Sequence, residues 1–229
     1  MYKYVVFDLD GTLLDTLQDL ADATNWVCIQ HGWPIHSVEK YKTFVGNGAA
    51  KLVERVVPAG VVLTERLHQQ LLDEFTLRYN AHKEDKTVVY PGMLELVQRL
   101  KELGIKMAVL TNKPDEAAVP MVERYYPGLL PLVQGAIPGY PTKPDPTLLQ
   151  KLMKRMDAQP EHTLFVGDSN VDIQTAKNSG LDSCGVLWGF RTRKELMGEG
   201  ANYLAENACQ LEQIIMGAET HSGNKIFDK

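Results

Sequence analysis

Three observations predict an α/β protein, a doubly wound parallel sheet interrupted by a helical insertion. Short apolar runs recur along the chain, each ending at a polar or glycine-rich turn. Amphipathic helical stripes separate most of these runs. Between Thr16 and Lys86 the strand pattern vanishes and only helical stripes remain. With 229 residues, 44% of them hydrophobic and 23% charged, the chain can hold one domain carrying a smaller insertion.

Taken in order, Tyr4–Leu9 reads as the first strand, apolar on both faces as a parallel strand covered on both sides requires. Leu17–Gln30, Val38–Phe44, Ala49–Val57 and Thr64–Tyr79 read as the helices of the insertion. The last sets Leu67, Leu71, Leu72 and Phe75 on one stripe. Gly92–Leu103 aligns Met93, Leu96, Val97 and Leu100, with Gly104 as a C-terminal cap. Lys106–Leu110 is the next strand and Leu132–Gly135 a weaker one. Asp145-Pro146 opens a helix to Met156 that carries Leu148, Leu149, Leu152 and Met156 on one face. Thr163–Val166 is a strand, Asn170–Ser179 a short helix stopped by Gly180, and Ser183–Leu187 and Asn202–Leu204 are further strands. The tail Thr220–Lys229 has little apolar content and is expected to be disordered. The expected division is residues 1–15 and 87–229 for a Rossmann-like core and 16–86 for a helical cap. The cap would sit above the carboxyl end of the first strand, where doubly wound sheets bind ligands.

Lys plus Arg number 24 against 29 Asp plus Glu, a formal charge of −5. That balance argues against a partner that is nucleic acid or an anionic membrane. Apolar stretches such as Met107–Leu110 are too short to span a bilayer, and the N-terminus reaches Asp8 without a signal peptide's apolar centre. Cys28, Cys184 and Cys209 have no paired spacing, so neither a disulfide framework nor a zinc site is indicated. The expectation is a soluble, cytoplasmic protein.

The chemistry concentrates at strand ends. In Phe7–Leu13, Asp8 and Asp10 stand at i and i+2 of an extended segment and face one crevice, and Gly11 lets the chain turn away. In Gly167–Asp172, Asp168 ends a strand, and Asp172 lies in the first turn of a helix, where the dipole favours an acid. Crowded carboxylates repel unless a cation joins them, and oxygen ligands without His or Cys point to Mg²⁺ over zinc. Thr111-Asn112-Lys113 ends another strand, where the Thr111 hydroxyl and Asn112 amide can donate to a phosphoryl oxygen. Lys143 is a cation set in a loop stiffened by Pro141, Pro144 and Pro146. A carboxylate nucleophile, an acid/base carboxylate, metal ligands, neutral donors and a cation together suit phosphoryl transfer.

In this order the four segments resemble the signature motifs of the haloacid dehalogenase-like superfamily, and the resemblance covers essentially the whole chain because the insertion looks like that family's helical cap. Within it, the chain looks most like the phosphoglycolate phosphatase group. Asp15-Thr16 with Asp19-Leu20, Val45-Gly46-Asn47-Gly48, Tyr90-Pro91-Gly92 and Thr111-Asn112-Lys113 carry that likeness. The resemblance implies that Asp8 is the nucleophile and forms an aspartyl-phosphate, and that Asp10 is the general acid/base. It implies Mg²⁺ held by Asp8, Asp168 and the Asp10 backbone carbonyl. Asp172 would orient metal-bound water or pair with Lys143, and Thr111, Asn112 and Lys143 would hold the phosphoryl group. The cap would select a small phosphorylated metabolite, with 2-phosphoglycolate leading, in a monomer or homodimer. Asn47 and Gly48 could offer N–H groups to a substrate carboxylate.

A pyrophosphatase, a sugar-phosphate phosphatase or a phosphosugar mutase would use the same framework. A phosphonate-cleaving relative would need a cap lysine, and Lys40, Lys42 and Lys51 exist. A protein of another class would bind a phosphorylated ligand without turnover, but would have no catalytic need for Asp10. Lys51 and Arg55 read as solvated helix residues, the histidines as surface or core residues, and Trp26, Trp33, Tyr125 and Tyr126 as packing. Trp188–Arg191 follows a strand and is a weak candidate to line the site.

Overall fold

The computed structural model describes residues 1–217, so the tail Thr220–Lys229 lies outside the described residues. The chain divides into two compact units, one of Met1–Leu14 with the segment from Val89 onward, the other of Asp15–Val88. Strand β1 (Tyr4–Phe7) opens the first unit, and the chain then runs through a short β2 (Leu14–Asp15), which pairs with β3 (Val88–Val89).

The second unit is helical: α1 (Leu17–Gln30), α2 (Val38–Tyr41), α3 (Ala49–Arg55) and α4 (Glu65–His82). Val27, Cys28, Tyr41, Leu71 and Phe75 are buried within it. Thr64 caps α4 by accepting the Leu67 N–H, which helps to fix where that helix begins. Buried Asp19 accepts the Lys86 and Thr87 N–H groups and the Thr87 hydroxyl, tying the start of α1 to the segment that ends the unit. The helix expected over 38–44 ends at Tyr41, and the last helix continues past Tyr79 to His82.

The first unit continues with α5 (Met93–Glu102), β4 (Lys106–Pro114), α6 (Asp115–Tyr125), β5 (Val133–Ala136), α7 (Thr147–Met156), β6 (Thr163–Gly167), α8 (Asn170–Asn178), β7 (Asp182–Val186), α9 (Arg193–Gly198), β8 (Tyr203–Ala205) and α10 (Ala208–Met216). Six of its strands form a parallel sheet ordered β5-β4-β1-β6-β7-β8. Phe7 stands opposite Val109 of β4 on one side and Val166 of β6 on the other, so the three strand ends lie side by side. Alternate residues feed opposite cores. Val5, Phe7, Val109 and Val166 join Leu96, Met121 and Leu211 on one face, while Val6, Leu110 and Phe165 join Leu149, Leu152 and Ala176 on the other. Both faces are therefore covered by helices, which is why these strands read as apolar throughout.

Two differences from the sequence reading bear on the site. Strand β4 runs four residues beyond Leu110, with a register shift against β5 between Leu110 and Pro114, and this carries Thr111–Lys113 onward in extended form. Helix α6 follows at once although Pro120 lies inside it. The helix buries Ala117, Ala118, Met121 and Val122, and this burial offsets the hydrogen bond that the mid-helix proline removes. No helix among the described residues is long and apolar enough to cross a membrane.

Candidate active site

Asp8 takes its place because β1 is the central partner of both β4 and β6. Its N–H donates to the Val166 carbonyl at 2.9 Å, continuing the ladder one residue past the strand. The chain then turns, with the N–H groups of Thr12, Leu13 and Leu14 all aimed at the Leu9 carbonyl. Gly11 turns at φ +85°, and a Cβ there would lie 2.5 Å from Asp168 Oδ2, so both the turn and the close approach of β6 need glycine.

Asp168 follows β6 and is buried. Its Oδ2 accepts the Phe190 N–H at 2.7 Å and its Oδ1 accepts the Thr12 hydroxyl at 3.4 Å. The Trp188 indole donates to the Thr12 carbonyl at 3.1 Å, so the 188–191 segment braces the site through Phe190 and Trp188. The sequence offered only a weak sign of this segment, since the contributing group at Phe190 is a backbone N–H that any residue but proline would supply.

Asp172 lies in the first turn of α8, where its Oδ2 accepts the Ser169 N–H at 3.0 Å and the Ser169 hydroxyl at 2.6 Å. Its other oxygen meets Lys143 Nζ at 2.6 Å. Lys143 Nζ also lies 2.8 Å from Asp8 Oδ1, so one buried ammonium joins the nucleophile candidate to the helix start. Burial opposes the charge on Lys143, but the Asp172 and Asp8 carboxylates outweigh it and hold its pKa above the ordinary lysine value.

The Asn112 amide grips the Lys143 backbone from both sides: Nδ2 donates to the Lys143 carbonyl at 3.1 Å and Oδ1 accepts its N–H at 2.8 Å. The sequence suggested that this amide faces a phosphoryl oxygen; in the structure it also sets the loop that delivers Lys143. The Thr111 hydroxyl, also buried, accepts the Lys113 N–H at 3.2 Å. Lys113, which the sequence reading left without a role, reaches Asp10 and pairs with both of its oxygens at 2.9 and 3.0 Å.

One carboxylate oxygen from each of Asp8, Asp168 and Asp172 can be chosen so that all lie within 4.8 Å of one another. The electrostatics show charge crowding. Burial, helped by Asp172, pushes the Asp8 carboxyl up to about 7 against the pull of Lys143. Burial, then Asp172 and Asp8, raises Asp168 well above the usual carboxylate range. A buried set of hard oxygen donors with too much negative charge fits a divalent cation such as Mg²⁺. Asp8 and Asp168 are thus brought together as the sequence suggested, Asp172 joins them, and the Asp10 side chain is engaged elsewhere.

Within the helical unit, Gly48 precedes α3 at φ +83°. Arg55 is half-buried rather than solvated; it donates to the Phe44 carbonyl at 2.6 Å and to Asn47 Oδ1 at 2.8 Å, which fixes the loop carrying Asn47 and Gly48. Lys51 is exposed and pairs with Glu54.

The sequence profile of the haloacid dehalogenase-like hydrolases matches residues 5–186. The chain is similar to the phosphoglycolate phosphatase of Pseudomonas syringae pv. syringae, at 35% identity over 213 residues, covering 91% of this chain and 78% of that protein. It is similar to the phosphoglycolate phosphatase of Vibrio parahaemolyticus at 30% identity over 223 residues, covering 93% of this chain and 96% of that one. The crystal structure of a protein assigned as a phosphoglycolate phosphatase from Lactobacillus delbrueckii subsp. bulgaricus superposes with a TM-score of 0.89 at 34% identity, covering 93% of this chain and 98% of that one.

Proposed function

Because the chain belongs to the haloacid dehalogenase-like hydrolase family, we propose that it is a Mg²⁺-dependent phosphatase that hydrolyses a small phosphate monoester, foremost 2-phosphoglycolate, through an aspartyl-phosphate on Asp8. The observation that carries this reading is the setting of Asp8, bound to Lys143 at 2.8 Å and grouped with Asp168 and Asp172 at the ends of adjacent elements. The resemblance to named phosphoglycolate phosphatases supports the substrate.

The Asp8 carboxylate attacks phosphorus and displaces the alkoxide, so one difficult hydrolysis becomes two transfers. Asp10 gives a proton to the departing oxygen and then takes one from the attacking water. Lys143, held in place by Asn112, the Asn112 amide itself and the Thr111 hydroxyl hold the phosphoryl oxygens as charge redistributes. Asp8, Asp168 and the Asp10 backbone carbonyl would hold Mg²⁺, with Asp172 at their side, and the ion supplies positive charge that offsets repulsion between nucleophile and substrate. Residues 16–86 would serve as the cap that excludes water and selects the leaving group, and the Asn47 and Gly48 N–H groups would bind a substrate carboxylate. Action in the cytoplasm as a monomer or homodimer belongs to the same reading.

Phosphate release from 2-phosphoglycolate, pyrophosphate, glucose 1-phosphate and p-nitrophenyl phosphate, with Mg²⁺ or with EDTA, tests it. The expected result is metal-dependent turnover with the highest kcat/KM for 2-phosphoglycolate. A higher kcat/KM for pyrophosphate or the sugar phosphate would overturn the substrate, and turnover unaffected by EDTA would overturn the metal.

A further inference from the structure

Lys113 carries no part in the chemistry so far, yet its side chain is only 4% exposed while the Asp10 side chain it meets is 20% exposed. Burying an ammonium is costly unless it is paired, so this pair is a built feature of the strand ends. Its geometry follows from the extension of β4. The four residues past Leu110 bring Lys113 alongside the turn after β1, and the Thr111 hydroxyl fixes its backbone. The Nζ contacts at 2.9 and 3.0 Å take both Asp10 oxygens. A grip on both oxygens sets the plane of the Asp10 carboxyl group.

We propose that Lys113 is a positioning residue that holds Asp10 for the second half of the reaction, the hydrolysis of the aspartyl-phosphate. There the water oxygen bonds to phosphorus, and its proton goes to a carboxylate oxygen of Asp10. The bond between phosphorus and Asp8 breaks, returning the Asp8 carboxylate and inorganic phosphate. Asp10 carries the proton into the next turnover, where it passes to the departing alkoxide. This inference rests on the reading of Asp10 as the acid/base group.

The experiment compares Lys113→Met, Lys113→Arg and Asp10→Asn, using p-nitrophenyl phosphate and the best alkyl phosphate of the panel. With p-nitrophenyl phosphate, kcat/KM reports formation of the phosphoenzyme, whose leaving group needs no proton, whereas kcat also contains its hydrolysis. For Lys113→Met, kcat should fall about 10- to 100-fold. Its kcat/KM for p-nitrophenyl phosphate should stay within about twofold, so KM falls with kcat. Rapid mixing should show a p-nitrophenolate burst of about one equivalent per chain. Lys113→Arg, which keeps the cation, should recover part of kcat. An unchanged kcat, or kcat and kcat/KM falling together without a burst, overturns the proposal. Lys113→Gln is read in the same way should the Met variant not fold. Asp10→Asn should lower kcat/KM for the alkyl phosphate far more than for p-nitrophenyl phosphate. If it does not, the acid/base reading of Asp10 fails and the inference falls with it, a result distinct from a Lys113 variant that merely lacks the burst.

Discussion

Asp8 and Lys143 stand 2.8 Å apart in a buried setting, so a change at one alters the surroundings of the other. Asp8→Asn keeps the shape and removes the nucleophile; phosphate release should fall by roughly 10⁴-fold or more in a variant that still folds. Retained turnover would remove Asp8 from its role. Asn112→Ala acts one step further back, because it deletes both hydrogen bonds to the Lys143 backbone without touching the ammonium. A loss of about 1–3 kcal/mol in urea unfolding is expected, together with a lower kcat. A stable but fully active variant would show that the amide does not position Lys143.

At the scale of elements, the junction of β6 and α8 is closely packed. Gly167 ends the strand, and a Cβ on it would fall on the Asp172 side chain. That side chain holds Ser169 with one oxygen and Lys143 with the other. Gly167→Ala must therefore displace the helix start and the cation together. The expected cost is about 1–3 kcal/mol of stability, with activity falling in parallel. A variant with parental melting and turnover would mean that the junction can yield. The extension of β4 belongs at this scale too, since it is what presents Thr111, Asn112 and Lys113 to three different partners.

At the scale of the whole molecule, buried acid couples stability to pH and to metal. The folded protein holds Asp8 at about 7, against an unfolded value near 4, and Asp168 is raised as well. Between these values the folded state binds more protons than the unfolded one, so the stabilisation present below about pH 4 is lost as pH rises through 7. In EDTA the melting temperature should therefore fall from pH 5 to pH 7.5, apart from the contributions of other groups. Mg²⁺ should raise it more at pH 7.5 than at pH 5, because the cation binds the ionised carboxylates. Equal shifts at the two pH values would dissociate the carboxylate cluster from metal binding.

The sequence by itself determined the six strands of the main sheet, most helix faces and the chemical types at the strand ends, because these depend on spacing of two or about four residues and on side-chain chemistry. Asp8, Asp168 and Lys143 were legible for that reason. Tertiary structure alone decided who touches whom. A sequence separation of 103 between Asp10 and Lys113 hides a pairing that exists only because β1 and β4 are neighbours in the sheet. The Phe190 N–H reaches Asp168 across 22 residues as a backbone group without a sequence signature. Asn112 grips Lys143 because the loop with Lys143 returns beside the end of β4. Local pattern reports the inventory of a site, and the long-range order of strands assigns its partners.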